Sequence, residues 1–547
     1  MIRYKPSDTV DFVVIGSGAA GGVVAKELST AGFSVVVMEQ GPYLKEKDAS
    51  HDELKIDTLH GIANDPKVQP NTFRASANET AKTEQRIDYG RLVGGGSVHF
   101  TANYWRFHPD DFRERSVFGE IAGTGFADWP IAYDELEPYY TKAEWELGIS
   151  GQGGANPFEG PRSKPYPLPP LPVKSSGVLF ERATKKLGLH PFPAPLAILS
   201  QPYQGRGACT SCGMCEQYLC EMRAKSSTLA SVIPVAEKTG RCEIRSGSYV
   251  RKIQSDNAGR VTGVVYFDPN RKEVFQRAKA VFLCANGVES AKLLLMSASN
   301  RFPHGLANGS GLVGKYFMWD LGAFASGLFD HPLNEYKGVQ VSRLIHDYYA
   351  ADAKRGFYGG AGIDARFDWQ PIAFALDGLP KDGPKWGGEY KKMLGRYFTQ
   401  TFSTLSHATS IAMEGNSVDL DPVVKDAWGL PAPRLTYSMH PDDRKNLVWI
   451  LQRQVEILEA AGATKVWTFP IDDIGYNRHL MGTMRMGNDA ARSVVNRWNR
   501  AHGVPNLFIV DGSSFVTSAR QQPTATIQAL AYRAAEAAAA DAKKGAL

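Results

Sequence analysis

Cysteine is scarce in this chain: there are six in 547 residues. Four of them, Cys209, Cys212, Cys215 and Cys220, share the stretch ACTSCGMCEQYLC. Scarcity elsewhere excludes a disulfide framework, because a chain of this length with 43% hydrophobic residues buries enough core without cross-links. Long apolar runs are also missing. None approaches the roughly 18 residues of a membrane span, and the opening MIRYKPSDTVDFVVIGSG has no apolar core of an export signal. Folding in a reducing compartment is therefore expected. Nor is there an excess of one charge. Lys and Arg number 62 against 57 Asp and Glu, and this diffuse net +5 excludes a nucleic-acid surface. There is no internal repeat or long low-complexity tract. Proline concentrates in KPYPLPPLPVK (164–174), which reads as an irregular crossing between two parts of the fold.

Glycine, by contrast, is placed with purpose. DFVVIGSGAAGGVVAKELSTAGFSVVVMEQG reads as a buried strand, a tight turn, a helix and a second buried strand ending in Glu39. Gly16, Gly18 and Gly21 have the GxGxxG spacing of a dinucleotide fold. The first permits the turn, the second admits a pyrophosphate, the third lets helix and strand touch, and the helix N-terminus faces the phosphates. Glu39 is placed to accept hydrogen bonds from a ribose diol and to repel a 2′-phosphate, which argues against NADP.

Two further segments point to a flat cofactor. DYGRLVGGGSVHFTANYWRFHPDDF (88–112) has three consecutive glycines followed by His99 and Asn103; close approach of the backbone to a ring system explains such a run. Near the C-terminus, NRHLMGTMRMG (477–487) precedes a buried strand closed by Asp511 and Gly512, and Pro523 opens an Ala-rich helix at its favoured first-turn position. The four clustered cysteines admit a zinc site, an iron-sulfur cluster or free thiols of local structural use. Zinc sites usually join two cysteine pairs across a longer gap, so the compact Cx2Cx2Cx4C run favours iron and sulfur. Cys242 and Cys284 lie in apolar stretches and read as core.

Together these segments resemble the glucose-methanol-choline (GMC) family of flavin oxidoreductases. The likeness spans the chain, including CANGVESAKLLLMSAS (284–299), NSVDLDP (416–422) and PAPRLTYSMHPDD (431–443). Within the family the closest likeness is to bacterial sugar and polyol dehydrogenases with an iron-sulfur cluster. The resemblance implies an α/β fold: a doubly wound, Rossmann-like FAD domain from 1–110, 205–330 and 475–547, and a substrate domain built on an antiparallel sheet from 111–200 and 335–475. It implies FAD held by Gly16, Gly18, Gly21 and Glu39 at its ADP end and by Gly94, Gly95, Ser97 and Asn103 along the flavin. Asp511, Gly512 and Thr524 close the site.

By the same resemblance His479 is the catalytic histidine, suited by its near-neutral titration to take a hydroxyl proton. The family's second position, usually His or Asn before Pro-Thr, is Gln522 here. An amide can orient a hydroxyl but cannot act as a base. His99 is where some relatives attach the flavin 8α carbon covalently, and a linkage is expected here. Cys209, Cys212, Cys215 and Cys220 are expected to hold a three- or four-iron cluster passing electrons to a cytochrome c or quinone acceptor. The expected reaction is oxidation of a sugar or glycoside alcohol to a carbonyl. The expected setting is the periplasm, reached with a small signal-bearing subunit, or otherwise the cytoplasm. Alternatives are an oxidase using O2, a dehydrogenase of aromatic or aliphatic alcohols, and an electron-transfer subunit without a substrate.

Overall fold

In the computed structural model, residues 2–58, 64–471 and 476–547 are described. The first element is the strand Val10–Ile15, buried throughout except for Asp11. It pairs in parallel with Val35–Met38 on one side and with Glu273–Leu283 on the other, in registers that set Phe12 beside both Val35 and Ala280. Cys242–Arg245 extends the parallel sheet at one edge and Leu507–Ile509 at the other. A central parallel sheet is hydrophobic on both faces because helices cover both. Accordingly Val13, Val14, Val35, Val36 and Val37 are fully buried.

The strand Glu273–Leu283 serves two sheets. Its second half lies in the parallel sheet, while its first half continues an antiparallel meander with Tyr249–Ser255 and Val261–Phe267. Gly16 and Gly21 explain the turn between the first strand and the helix Ala19–Thr30. Gly16 has φ +89°, and a Cβ there would stand 2.5 Å from the Cys284 carbonyl oxygen. A Cβ on Gly21 would stand 1.9 Å from the Gly16 carbonyl oxygen, so only glycine lets the helix lie on the strand.

A second, six-stranded antiparallel sheet has the order Lys465–Thr468, Phe324–Leu328, Thr401–Ala408, Ala361–Arg366, Val341–Ile345 and Phe192–Pro193. Its long strand Thr401–Ala408 is buried at every residue although most of its side chains are polar, an early sign that its face is built for more than packing. The helix Pro441–Ala460 covers this sheet, with Leu447, Ile450, Ile457 and Leu458 buried.

Two boundaries differ from the sequence expectation. Phe324–Leu328, placed by sequence in the nucleotide unit, pairs with Thr401–Ala408 in the antiparallel sheet. Thr72–Arg74, also placed there, pairs with Pro431–Thr436 and so joins a four-stranded sheet with the later region. Both follow from pairing between segments far apart in the chain, which no local pattern encodes. The boundary expected at residue 475 lies outside the described residues. Among the described residues no helix is long and apolar enough to cross a membrane.

Candidate active site

The loops at the carboxyl ends of the parallel strands frame a cleft of about 1550 Å³, open at its mouth. That volume includes space open to solvent; the lining runs from Glu39 and the turn at Gly16 to His99 and His479, an extended surface that suits a dinucleotide with a substrate beside it. The N-terminal ends of three helices, at Ala19, Asn286 and Thr524, line it. The positive ends of their dipoles suit anionic or polar parts of a ligand, although at Asn286 the side chain already accepts from the Val288 and Glu289 N–H groups.

Of the residues expected to hold the cofactor, Gly16, Gly18, Glu39, Gly95, Ser97, His99, Asp511, Gly512 and Thr524 all line this cleft. Gly21 acts through packing, as shown above. Glu39 accepts hydrogen bonds from the Ser17 N–H (3.1 Å), the Ser17 hydroxyl (2.7 Å) and the Gly41 N–H (3.0 Å). A carboxylate has about four acceptor positions, so capacity is left for a ribose. Asp511 accepts the same number, from Asn286 N–H (3.1 Å), the Ser290 hydroxyl (2.6 Å) and Ser513 N–H (2.8 Å). It clamps the C-terminal strand to the helix Gly287–Met296. Ser97 braces its own loop, donating to the Gly94 carbonyl at 2.7 Å and accepting from Thr228 N–H at 3.1 Å.

Gly94, Asn103 and Gln522 are not among the lining residues. Gly94 turns the loop behind the lining, with φ +96° and its N–H donated to the Ser17 hydroxyl at 3.0 Å. Asn103 is 1% exposed and neither end of its amide has a protein partner. A buried amide is rarely left bare, which marks this position as one that a cofactor would satisfy. The donors, acceptors and glycine turns of the cleft thus fit a flavin dinucleotide.

His99 is buried with an unpartnered Nε2, while the Gln217 N–H donates to its carbonyl at 2.7 Å. Burial lowers its pKa to about 4, partly opposed by Asp88 and reinforced by Arg478 and Lys225. The ring is therefore neutral and keeps a lone pair for bond formation.

His479 stands on the strand Tyr476–Met481 with φ +56°, in the left-handed region that a histidine seldom occupies. Its Nδ1 lies 2.9 Å from Oδ2 of Asp320, on the neighbouring strand Met318–Asp320. Asp320 is itself buried. Burial alone would raise its pKa, but two histidines more than reverse this, and its carboxyl is held well below the usual range.

The second of these histidines, His407, was not marked by the sequence reading. Its Nδ1 lies 3.3 Å from Asp320 and its Nε2 lies 3.1 Å from Asp364. The amide nitrogen of Gln522 is 3.0 Å from Nδ1 and 2.8 Å from Nε2 of the same ring. Gln522 is therefore tied to His479 through His407 and Asp320. Asp364 is paired with Arg366, which also reaches Asp368 at 2.8 Å. The available signal was a histidine, two aspartates and an arginine inside strands otherwise composed as core.

The cysteine loop is fixed to the same region. Arg478, next to His479, donates to Glu216 in that loop and reaches Asp88 at 3.3 Å. Beneath the loop Lys225, 2% exposed, donates to the carbonyls of Cys215, Tyr218 (2.8 Å) and Phe100 (3.4 Å). Burial pushes the Cys215 thiol up to about 12, with Lys225 opposing and Cys209, Cys212 and Cys220 adding to the rise. The four sulfurs thus lie within electrostatic reach of one another. Yet among the described residues no three Cys, His, Asp or Glu side chains gather closely enough to hold a metal ion. This loop geometry does not fit a cluster as it stands, and no electron-transfer step is assigned to it.

GMC oxidoreductase family profiles match residues 10–332 with the N-terminal part and 413–531 with the C-terminal part. The chain is 34% identical to 2-methyl-1,2-propanediol dehydrogenase of Mycolicibacterium austroafricanum, over 97% of this chain and 95% of that one. It is 29% identical to the fructose dehydrogenase large subunit of Gluconobacter japonicus, over 98% and 99% of the two chains. Among solved structures, pyridoxine 4-oxidase superposes with a TM-score of 0.64 at 19% identity, covering 97% of this chain and 99% of that one. With the nucleotide fold, the cleft and the carboxylate-bound histidine in place, the chain belongs to the GMC oxidoreductase family of flavoproteins that act on CH–OH groups.

Proposed function

We propose that this protein is an FAD-dependent dehydrogenase that oxidises an alcohol group of a sugar, glycoside or polyol to a carbonyl. The observation that carries the reading is His479, facing the cleft with its Nδ1 bound to Asp320. That bond places the ring proton on Nδ1 and leaves Nε2 as the basic atom. Oxidation breaks the substrate O–H and C–H bonds and forms C=O. The proton passes to His479 Nε2, and bound FAD supplies the acceptor for the hydride. Gln522, held against His407, orients the site without taking a proton. The relatives named for a diol and for fructose support a polyhydroxylated substrate.

The relative named as a large subunit supports a partner-bearing assembly. In that reading a small subunit carries the enzyme to the periplasmic face of a membrane, and a cytochrome c or quinone accepts the electrons. An iron-sulfur cluster at Cys209, Cys212, Cys215 and Cys220 belongs to the same reading. It requires the loop to close further than it does here. The loop turns tightly, with positive φ at Ser211, Gly213 and Gln217, and the Ser211 N–H donates to the Cys209 sulfur at 3.4 Å. Such turns aim backbone N–H groups at sulfur ligands and tune them. The buried Lys225 ammonium, bonded only to carbonyls in this loop region, favours thiolate anions beside it.

The test is an anaerobic screen of flavin bleaching against sugars, glycosides, polyols and aromatic alcohols, with iron and acid-labile sulfide measured on the same preparation. Bleaching by a polyhydroxylated substrate is expected, with iron and sulfide in stoichiometry with FAD. Strong peroxide formation in air and no iron would replace this reading with an oxidase.

A covalent link from His99 to the flavin is proposed on its neutral, unpartnered Nε2. Acid precipitation is expected to leave flavin with the chain, and His99→Ala to release it. Release of all flavin from the unmutated protein disposes of the linkage.

A further inference from the structure

His407 touches neither the cleft nor solvent, being 2% exposed. Its position between Asp320 and Asp364 nonetheless bears on the base. We propose that Asp320 and His407 are a positioning pair for His479: Asp320 fixes the ring so that Nε2 faces the substrate, and a proton on His407 offsets the charge of Asp320. The inference rests on the reading of His479 as the base.

The argument starts from a count of charges. Asp320, Asp364 and Asp368 are buried or nearly so, and one guanidinium, Arg366, stands among them. Arg366 binds Asp364 through two nitrogens, one at 2.7 Å and one at 2.5 Å, and Asp368 at 2.8 Å; the nitrogen at 2.5 Å from Asp364 also lies 3.2 Å from Nε2 of His407, where its charge works against a proton on that ring, and none of its bonds reaches Asp320. Asp320 has no arginine or lysine among its bonded partners; both are histidine nitrogens. A buried carboxylate without a counter-charge is costly. His407 can supply one, because its two ring nitrogens each meet a carboxylate. Those contacts raise its pKa even though burial opposes it. Trp105 closes its other side, its ring 5.4 Å away, and His346 lies beyond at 6.0 Å from that tryptophan.

The consequence for His479 is electrostatic. An aspartate acting alone on an imidazole stabilises the imidazolium and removes the base at neutral pH. An aspartate whose charge is offset from the far side still fixes the tautomer while pulling less on a second proton. Arg478 is also charged beside His479, with Asp88 and Glu216 bound to it, while His99, which lines the same cleft, is neutral. The amide of Gln522 follows the same logic. Amide oxygen and nitrogen are alike in shape, and opposite a doubly protonated ring the oxygen is the end that fits. The NH2 group then turns to the other amide position, which has no protein partner.

The experiment is anaerobic stopped-flow reduction of the holoenzyme flavin by an alcohol from the bleaching screen, across pH 5 to 9. His407→Gln leaves Asp320 uncompensated. The acidic limb of the rate profile is expected to rise by about one pH unit, or to emerge if the unmutated enzyme shows none. Asp320→Asn is expected to lower kcat ten-fold or more with KM little changed, and Asp320→Glu to restore part of it. A limb unmoved in His407→Gln, with rates lowered evenly at every pH, shows a merely structural histidine and overturns the proposal. If His407→Gln does not retain FAD, Asp320→Asn and Asp320→Glu decide: equal losses in kcat and KM without rescue overturn it. His479→Ala runs alongside. Retained reduction there removes the base itself, whereas lost reduction there with unmoved limbs removes only the positioning pair.

Discussion

Flavin reduction in His479→Ala is expected to fall by roughly two to four orders of magnitude, the usual weight of general acid–base catalysis, while FAD stays bound. The side chain is removed from the cleft wall without disturbing the glycine turns, helix ends or carboxylates expected to hold the cofactor. The position has φ +56°, and alanine keeps that backbone demand, so the variant isolates the imidazole. Retained FAD absorbance with slow anaerobic bleaching is the expected pair of observations. Near-normal bleaching would move the base elsewhere in the cleft and would remove the reason for the histidine's unusual backbone.

The largest effect on stability is expected at Arg520. Its side chain is 1% exposed and binds Asp111 at 2.9 Å, Glu114 at 2.7 Å and the Tyr358 hydroxyl at 2.7 Å. Asp111 also accepts from the Tyr349 hydroxyl at 2.5 Å. Arg520→Met preserves much of the volume but leaves two buried carboxylates without a cation. Removing one partner of a buried pair costs about 3–5 kcal/mol. Burial already lifts Asp111 to about 7 against the pull of Arg520. In the variant both carboxylates are expected to take up protons. The stability lost is therefore expected to be smaller at low pH and to grow as pH rises past neutrality, where holding them protonated becomes harder. Denaturant midpoints of holoprotein at pH 5 and pH 8 give the measurement. A loss under about 1 kcal/mol at both values would show that the network relaxes around the change. The network lies two residues from Gln522, so its integrity also sets where the active-site amide stands.

What could be read from the sequence was local. GSGAAG encodes its own turn, because each glycine answers a contact within the same strand and helix or with the neighbouring strand at Cys284. His479 and the cysteine run were visible as motifs for the same reason. Asp320, His407, Asp364 and Arg366 were not. They come from three strands, with Asp320 and His407 87 residues apart; the antiparallel ladder puts Asp364, Arg366 and His407 in one sheet, and a separate pairing of Met318–Asp320 with Tyr476–Met481 sets Asp320 beside His479. The ladder sets Gly362 opposite His407 and thereby brings Asp364 diagonally beside it. Polar residues inside the buried strand TFSTLSHA carried the warning, but period and composition alone assign such a strand to a core. The same long-range pairing moved Phe324–Leu328 out of the nucleotide unit.

The bond between Arg478 and Glu216 changes how experiments on the cysteine loop must be read. It fastens the residue before the proposed base, His479, to a loop whose thiols are a handful of bonds away. Coupling between two such sites is reciprocal. Whatever reshapes the loop presses on His479, and whatever seats a substrate against His479 is felt by the loop with equal free energy. A serine placed at Cys215 is then a mechanical load on the catalytic strand. Turnover lost in such a variant speaks of geometry before it speaks of electrons.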